Sequence, residues 1–234
     1  MMRVRRYTGA AVAQGEIIAF ASVDTRPTFG WLSDRLEVHR EGYDLVGGSI
    51  LNGTPGHWIG TASYLLEYSA LLPVRRLLEQ QGIPHAVSFQ QSVFANVGLY
   101  PEDLLTGEDT IFNRRCLAAG LRVGFAPAAG LFHENPTRLR EYLNHAANHG
   151  RGLAQCIDEH NLGAAIGPSD AQSLSRAVLS GLRYTVLGLF AKYQRLARFA
   201  PRQLPALLAT TPLIVLAQLA TAWGALSELR SKAG

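Results

Sequence analysis

TGEDTIFNRRCLAAGLRVGFAPAAGLFH, Thr106 to His133, carries two periodicities in one stretch. Its first half reads as a helix from Thr106 to Gly120. Thr106 is a candidate N-cap, Asp109 falls at the third helical position, and Gly120 closes the run. Its second half reads as two short strands, Leu121–Ala126 and Gly130–His133. A capped helix feeding an apolar strand is the unit from which α/β domains are built.

The pattern continues on both sides. Upstream, Glu16–Val23 (EIIAFASV) is a nearly continuous apolar run of the kind buried in a parallel sheet. Pro27 suits a first helical turn, and Trp31, Leu32, Leu36 and His39 recur at helical spacing. Tyr43–Leu51 is a second strand candidate, where Gly47-Gly48 suggests close backbone approach or a bulge. Asn52–Gly60 reads as loop and Thr61–Gln81 as a helix kinked or split at Pro73. Ile83–Asn96 reads as short strands and loop. Downstream, Thr137–Gly150 is an amphipathic helix. The expected fold is α/β with a largely parallel sheet. The expected division is a domain over 1–160, a Gly/Pro/Ser-containing linker over 161–173 and a tail over 174–234.

With 234 residues, 47% hydrophobic and 17% charged, the chain is globular or membrane-associated rather than disordered. Its net charge of +4 is unevenly spread. From Ser175 onward there are eight Lys or Arg against one acid, while residues 1–174 carry a net of −3. A basic tail on a slightly acidic body argues against nucleic-acid binding. Cys116 and Cys156 lack metal-ligand spacing and suit a reduced, cytosolic protein. The basic Met1–Arg6 segment precedes an apolar run too short for a secretory signal.

No charge falls between Arg202 and Glu228, so 203–227 is long enough to cross a bilayer core of roughly 30 Å. Leu174–Arg198 reads as an interfacial amphipathic helix with its cations on anionic headgroups. A soluble helical subdomain that buries both segments is the alternative.

Three features carry the candidate chemistry. Asp24 follows the first strand, Glu108-Asp109 opens the central helix, and His133 ends the strand after it. Ligands of open α/β sheets bind beyond the carboxyl ends of strands. A carboxylate and an imidazole can hold a divalent cation that bridges a diphosphate, and a separate carboxylate can deprotonate an attacking hydroxyl. Each residue also has a plain reading. Asp24 suits a turn, Asp109 a helix cap and dipole, His133 a polar strand edge, Arg114 and Arg115 a solvent face, and Arg151 a helix C-terminal cation.

The order of these features, with GAAVAQGEIIAFASVDTRPTFGWL, YDLVGGSI and VGLYPEDLLTGEDTIFNRRCLAAGLRVGFAPAAGLFHE, makes residues 9–152 resemble the C-terminal two-thirds of a family 2 glycosyltransferase domain of GT-A type. The resemblance implies a Rossmann-like GT-A sheet and inverting transfer of a sugar from a nucleotide-sugar to an acceptor hydroxyl. It implies Asp109 as catalytic base with Glu108 beside it. Asp24 matches the second acid of the metal- and diphosphate-binding pair, and Trp31 is typical of the helix that follows. His133 is implied as a metal ligand with Mg²⁺ or Mn²⁺. Arg114 or Arg115 matches an Arg that follows the base, and Arg151 is a candidate phosphate contact. NHGRG at 148–152 resembles the segment leading into the anchoring helices of bacterial polysaccharide-assembly members. The implied acceptor is a glycan or lipid-linked sugar, at the cytoplasmic face of a membrane.

Two departures stand out. Ser22 occupies the position of the first acid, and a hydroxyl is a far poorer ligand for a hard cation. The base- and ribose-binding segment of the family has no counterpart before Gly9, so the domain is expected to be incomplete. The rival reading is a degenerate, inactive fragment that serves as a membrane-bound scaffold. An unrelated hydrolase or phosphatase is disfavoured, because neither a nucleophile elbow nor a Gly-rich phosphate loop is present.

Overall fold

A computed structural model describes residues 9–73, 87–101, 107–155, 166 and 168–233. The elements are β1 (Ile17–Ala19), β2 (Thr25–Pro27), α1 (Trp31–Arg40), β3 (Leu45–Asn52), α2 (Trp58–Tyr68), β4 (Ser88–Gln90), α3 (Gln91–Val97), α4 (Glu108–Ala118), β5 (Val123–His133), α5 (Leu139–Gln155), α6 (Leu174–Phe199) and α7 (Leu204–Ala233). Contacts group them into two compact units, one within 1–53, 70–103 and 108–134, the other within 54–69, 104–107 and 135–234.

The first unit is a five-stranded sheet in the order β1-β4-β3-β5-β2. Among the described residues only β3 and β5 run parallel; β1/β4, β3/β4 and β2/β5 are antiparallel. The sheet is therefore mixed, and the expectation of a largely parallel one is corrected. The three added strands have three residues each, and an apolar run marks a buried strand without fixing its direction. Leu45, Phe89, Phe112, Cys116 and Val123 are buried together, with Phe20 and Phe94 packed against them. Tyr100 and Phe112 stack at 4.3 Å between centroids. Cys116 is a packing residue here, its thiol pushed up to about 12 by burial. Cys156 lies outside the described residues.

The two strands expected at 121–133 are one, interrupted at a bulge. Gly48 pairs with Ala126 and Ile50 with Leu131, so Pro127–Gly130 are extruded opposite Ser49. Ser49 donates its hydroxyl to Pro127 O at 2.8 Å, and Thr28 N–H donates to Gly130 O at 2.9 Å. A proline is tolerated in a strand where the ladder is already broken. A Cβ on Gly48 would run into the Ala129 carbonyl, so the reading of close backbone approach at Gly47-Gly48 is met.

Helix α4 ends in a Schellman motif: Leu121 N–H donates to Cys116 O, and Gly120 N–H to Leu117 O, with Gly120 at φ 75°. The expected N-cap, Thr106, lies outside the described residues. Helix α2 starts at Trp58, inside the expected loop, and ends at Tyr68, before Pro73. Of the rest of that expected helix, 69–73 are not helical and 74–81 lie outside the described residues. The region expected as strands and loop contains α3.

The second unit is helical. α5 and α7 meet through small residues: a Cβ on Gly150 would strike Thr221 O, and one on Gly224 would strike Ala147 O. Ala154, Ala177, Ala222, Ala225, Leu226 and Leu229 are buried together. Of the expected linker at 161–173, residues 161–165 and 167 lie outside the described residues, and Pro168–Gln172 forms a short 3-10 helix. The helices of the tail share this unit with α2 and α5.

Candidate functional site

Asp24 and His133 are brought together by strand pairing. β2 runs antiparallel to β5, with Thr25 opposite His133, so Asp24 arrives at the carboxyl end of β5. Asn52, last in β3, also pairs with His133, and Gly53 N–H donates to His133 O at 2.9 Å. The place is thus the shared carboxyl end of the one parallel pair. Glu134 N–H donates to Asp24 O at 2.8 Å, and Arg26 bridges to Glu134 at 3.0 Å, which fastens the start of β2 to the end of β5.

Asp24 Oδ2 lies 3.6 Å from His133 Nε2. The His133 side chain is 9% exposed and that of Asp24 41%. Within this half-open carboxylate, Oδ1 is buried and has no hydrogen-bond partner. A buried carboxylate oxygen without a donor is unfavourable, and such atoms in folded proteins call for an explanation such as a bound ion. The donor set fits a divalent cation: one carboxylate and one imidazole nitrogen close enough to share it, with room for further ligands on the exposed side. Ser22, whose carbonyl accepts both the Thr25 N–H and hydroxyl (3.1 and 2.7 Å), turns the chain into Asp24. Asp24 is therefore a turn residue and a partner of His133 at once.

Glu108 and Asp109 occupy the first turn of α4, both half-buried, where the helix dipole favours an acid. Ile111, Phe112 and Cys116 turn inward from this helix, while Arg114 and Arg115 are exposed. Arg151 lies on α5 in the helical unit and donates to Asn148 Oδ1 at 2.7 Å on an exposed face.

A second group of ligating side chains was not anticipated. In the helical unit, Glu67 of α2 meets His145 and His149 of α5. The signal was present in the sequence as His-Ala-Ala-Asn-His, two imidazoles at i and i+4 on a helix.

The first unit's strand-end arrangement is the setting in which likeness to other proteins matters. The pre-mycofactocin glycosyltransferase of Mycobacterium tuberculosis is 28% identical over 165 residues, 66% of this chain and 34% of that protein. Glycosyltransferase AglE of Haloferax volcanii is 28% identical over 124 residues, 52% of this chain and 40% of that protein. The chain is a distant relative of glycosyltransferases. It spans little more than a third of the length of these relatives. No family model matches the chain.

Proposed function

We propose that this chain is a glycosyltransferase-like protein of family 2 descent with a GT-A type core, which transfers a sugar from a nucleotide-sugar to an acceptor hydroxyl with inversion. The observation that carries the proposal is the Asp24–His133 pair at the carboxyl end of β3 and β5, with its buried, unpartnered Asp24 Oδ1. The two distant relatives named as glycosyltransferases support the same class.

In this reading Asp24 and His133 are the residues that would hold Mn²⁺ or Mg²⁺ beside the donor's diphosphate. A bound cation would supply charge stabilisation for the departing diphosphate. Asp109, half-buried in the first turn of α4, takes the proton from the acceptor hydroxyl, and Glu108 orients it. Arg114 is a further diphosphate contact. Arg151, engaged with Asn148, is left out of the site. The acceptor is a glycan or lipid-linked sugar, reached at the cytoplasmic face of a membrane, where nucleotide-sugars are made.

Purified protein should show a thermal shift with a UDP- or GDP-sugar and Mn²⁺, lost in Asp24→Asn. Asp109→Asn should lower transfer by roughly 10²-fold or more while leaving that shift in place. Full transfer by Asp109→Asn would remove Asp109 as base. A second reading rests on Ser22, which stands where the first acid of the pair would sit: a scaffold descended from such an enzyme. It predicts that no nucleotide-sugar, with or without Mn²⁺, shifts the melting temperature.

A further inference from the structure

His145 and His149 stand one turn apart on α5, so both rings project from one face, and their centroids are 4.5 Å apart. Glu67, in the last turn of α2, brings its carboxylate to the same place, with Oε1 3.2 Å from His145 Nε2. Ser63, one turn earlier on α2, donates to Glu67 Oε1 at 3.3 Å and steadies it. One nitrogen from each ring and one carboxylate oxygen lie within 4.8 Å of one another.

We propose that Glu67, His145 and His149 form a binding site for a divalent transition-metal ion of the zinc class, which clamps α2 to α5. Four-coordinate zinc with bonds of about 2.0–2.1 Å keeps its ligand atoms about 3.3 Å apart. The Glu67–His145 pair already has that spacing, and the exposed His149 closes the set by rotating its ring. Two imidazoles and one carboxylate form a borderline donor set that suits Zn²⁺ and is poor for Mg²⁺ or Ca²⁺, which take oxygen. Three protein ligands leave a fourth position for water or an exogenous ligand. The site does not depend on the sugar-transfer reading.

The competing account is that Glu67 serves only as counter-charge to cations already present. Lys192 of α6 lies within the influence of the Glu67 carboxylate, and His145 is its direct partner. That account predicts no metal affinity above background.

The test uses the full chain, stripped with a chelator and titrated with Zn²⁺ against a chromogenic competitor. One Zn²⁺ per chain is expected to be lost in the His145→Ala/His149→Ala double variant. His149→Ala alone should bind roughly tenfold or more weakly, since even second-shell changes cost that much. His149 is exposed, so this variant should keep the fold, which circular dichroism checks. His133→Ala should leave the titration unchanged, which separates this site from the Asp24–His133 pair. Co²⁺ loading should give visible ligand-field bands that vanish in the double variant. Zinc binding that is absent from the native chain, equal in the double variant, or lost on His133→Ala overturns the proposal.

Discussion

His39 shows how a polar side chain enters this core. The Tyr43 carbonyl can only accept, so His39 Nδ1 carries the hydrogen and donates to it at 2.8 Å. Nε2 is then the acceptor for the Ser88 hydroxyl at 2.9 Å. Arg35, buried beside it, donates to Val46 O and lies over the Trp31 ring at 4.6 Å. Burial holds the His39 imidazole below its ordinary 6.5, aided by the charge of Arg35 and opposed by the Tyr43 hydrogen bond and Asp44. As pH falls, the unfolded chain therefore takes up this proton first. The stability associated with the neutral ring is fully present above about pH 6.5 and is lost as pH falls through the lower folded value. His39→Gln should be less stable than the native chain at pH 7.5 and show a flatter fall in urea midpoint between pH 6.5 and 5. Equal slopes for the two proteins would show that His39 does not titrate in the folded state as described.

Elements meet through positions with no side chain, and one such case is the junction of β3 and β5. A Cβ on Gly48 would meet the Ala129 carbonyl and the Arg35 guanidinium, and the carbonyl cannot rotate away. Gly48→Ala should destabilise the sheet unit by about 1–3 kcal/mol, read by urea unfolding. Gly56→Ala, with nothing within 4 Å of its Cβ, should stay within about 0.5 kcal/mol of the native chain. An equal effect of both would mean that the bulge relaxes freely. This junction also shows what was legible beforehand. Gly47-Gly48 announced close approach, Gly120 announced a helix end, and the apolar runs at 16–23 and 43–51 announced strands, because each effect is local. Strand direction was not legible, since it depends on partners far away in sequence. The inward face of α1 was legible in part: spacing marked Trp31, Leu32, Leu36 and His39, and Trp31 and His39 are buried beside Arg35 and Val38 while Leu32 and Leu36 are exposed. Arg35 is accepted there because Val46 O and the Trp31 ring receive it. Asp24 and His133 could be placed near one sheet end from strand boundaries alone, but the bare Oδ1 that gives the pair meaning is a product of packing. The Glu67–His145–His149 group needed α2 beside α5, which no single segment encodes.

For the molecule as a whole, we propose that the basic, apolar tail meets a membrane, and its two long helices offer different contacts. Among the described residues one helix, over Pro201–Lys232, is long and apolar enough to cross a bilayer. Both halves bury one face, Leu207, Ile214 and Ala217 in the first and Ala222, Ala225 and Leu226 in the second, with Leu208, Leu216 and Trp223 exposed, and Gly150 and Ala147 of α5 press on the C-terminal half. Helix α5 carries Arg140, Glu141, His145, His149 and Arg151, so a span through this half of α7 would take charged side chains into hydrocarbon or require α5 to let go. Helix α6 offers a better contact. Val178, Leu182, Val186 and Phe190 form an exposed stripe at four-residue spacing, with Leu179 and Leu187 beside it, and Arg176 and Arg183 are exposed on the same helix. An apolar stripe with flanking cations suits the interface of an anionic bilayer. We therefore expect the chain to float with anionic vesicles, to float poorly with neutral ones, and to be released by alkaline carbonate. Arg176→Ala and Arg183→Ala should each lower partitioning roughly fivefold, about 1 kcal/mol per cation. Leu182→Asp should abolish it without unfolding the helical unit, because that side chain is already exposed. Retention through the carbonate wash would show instead that α7 leaves α5 and spans. Failure to float with any vesicle would assign the stripe to a protein partner.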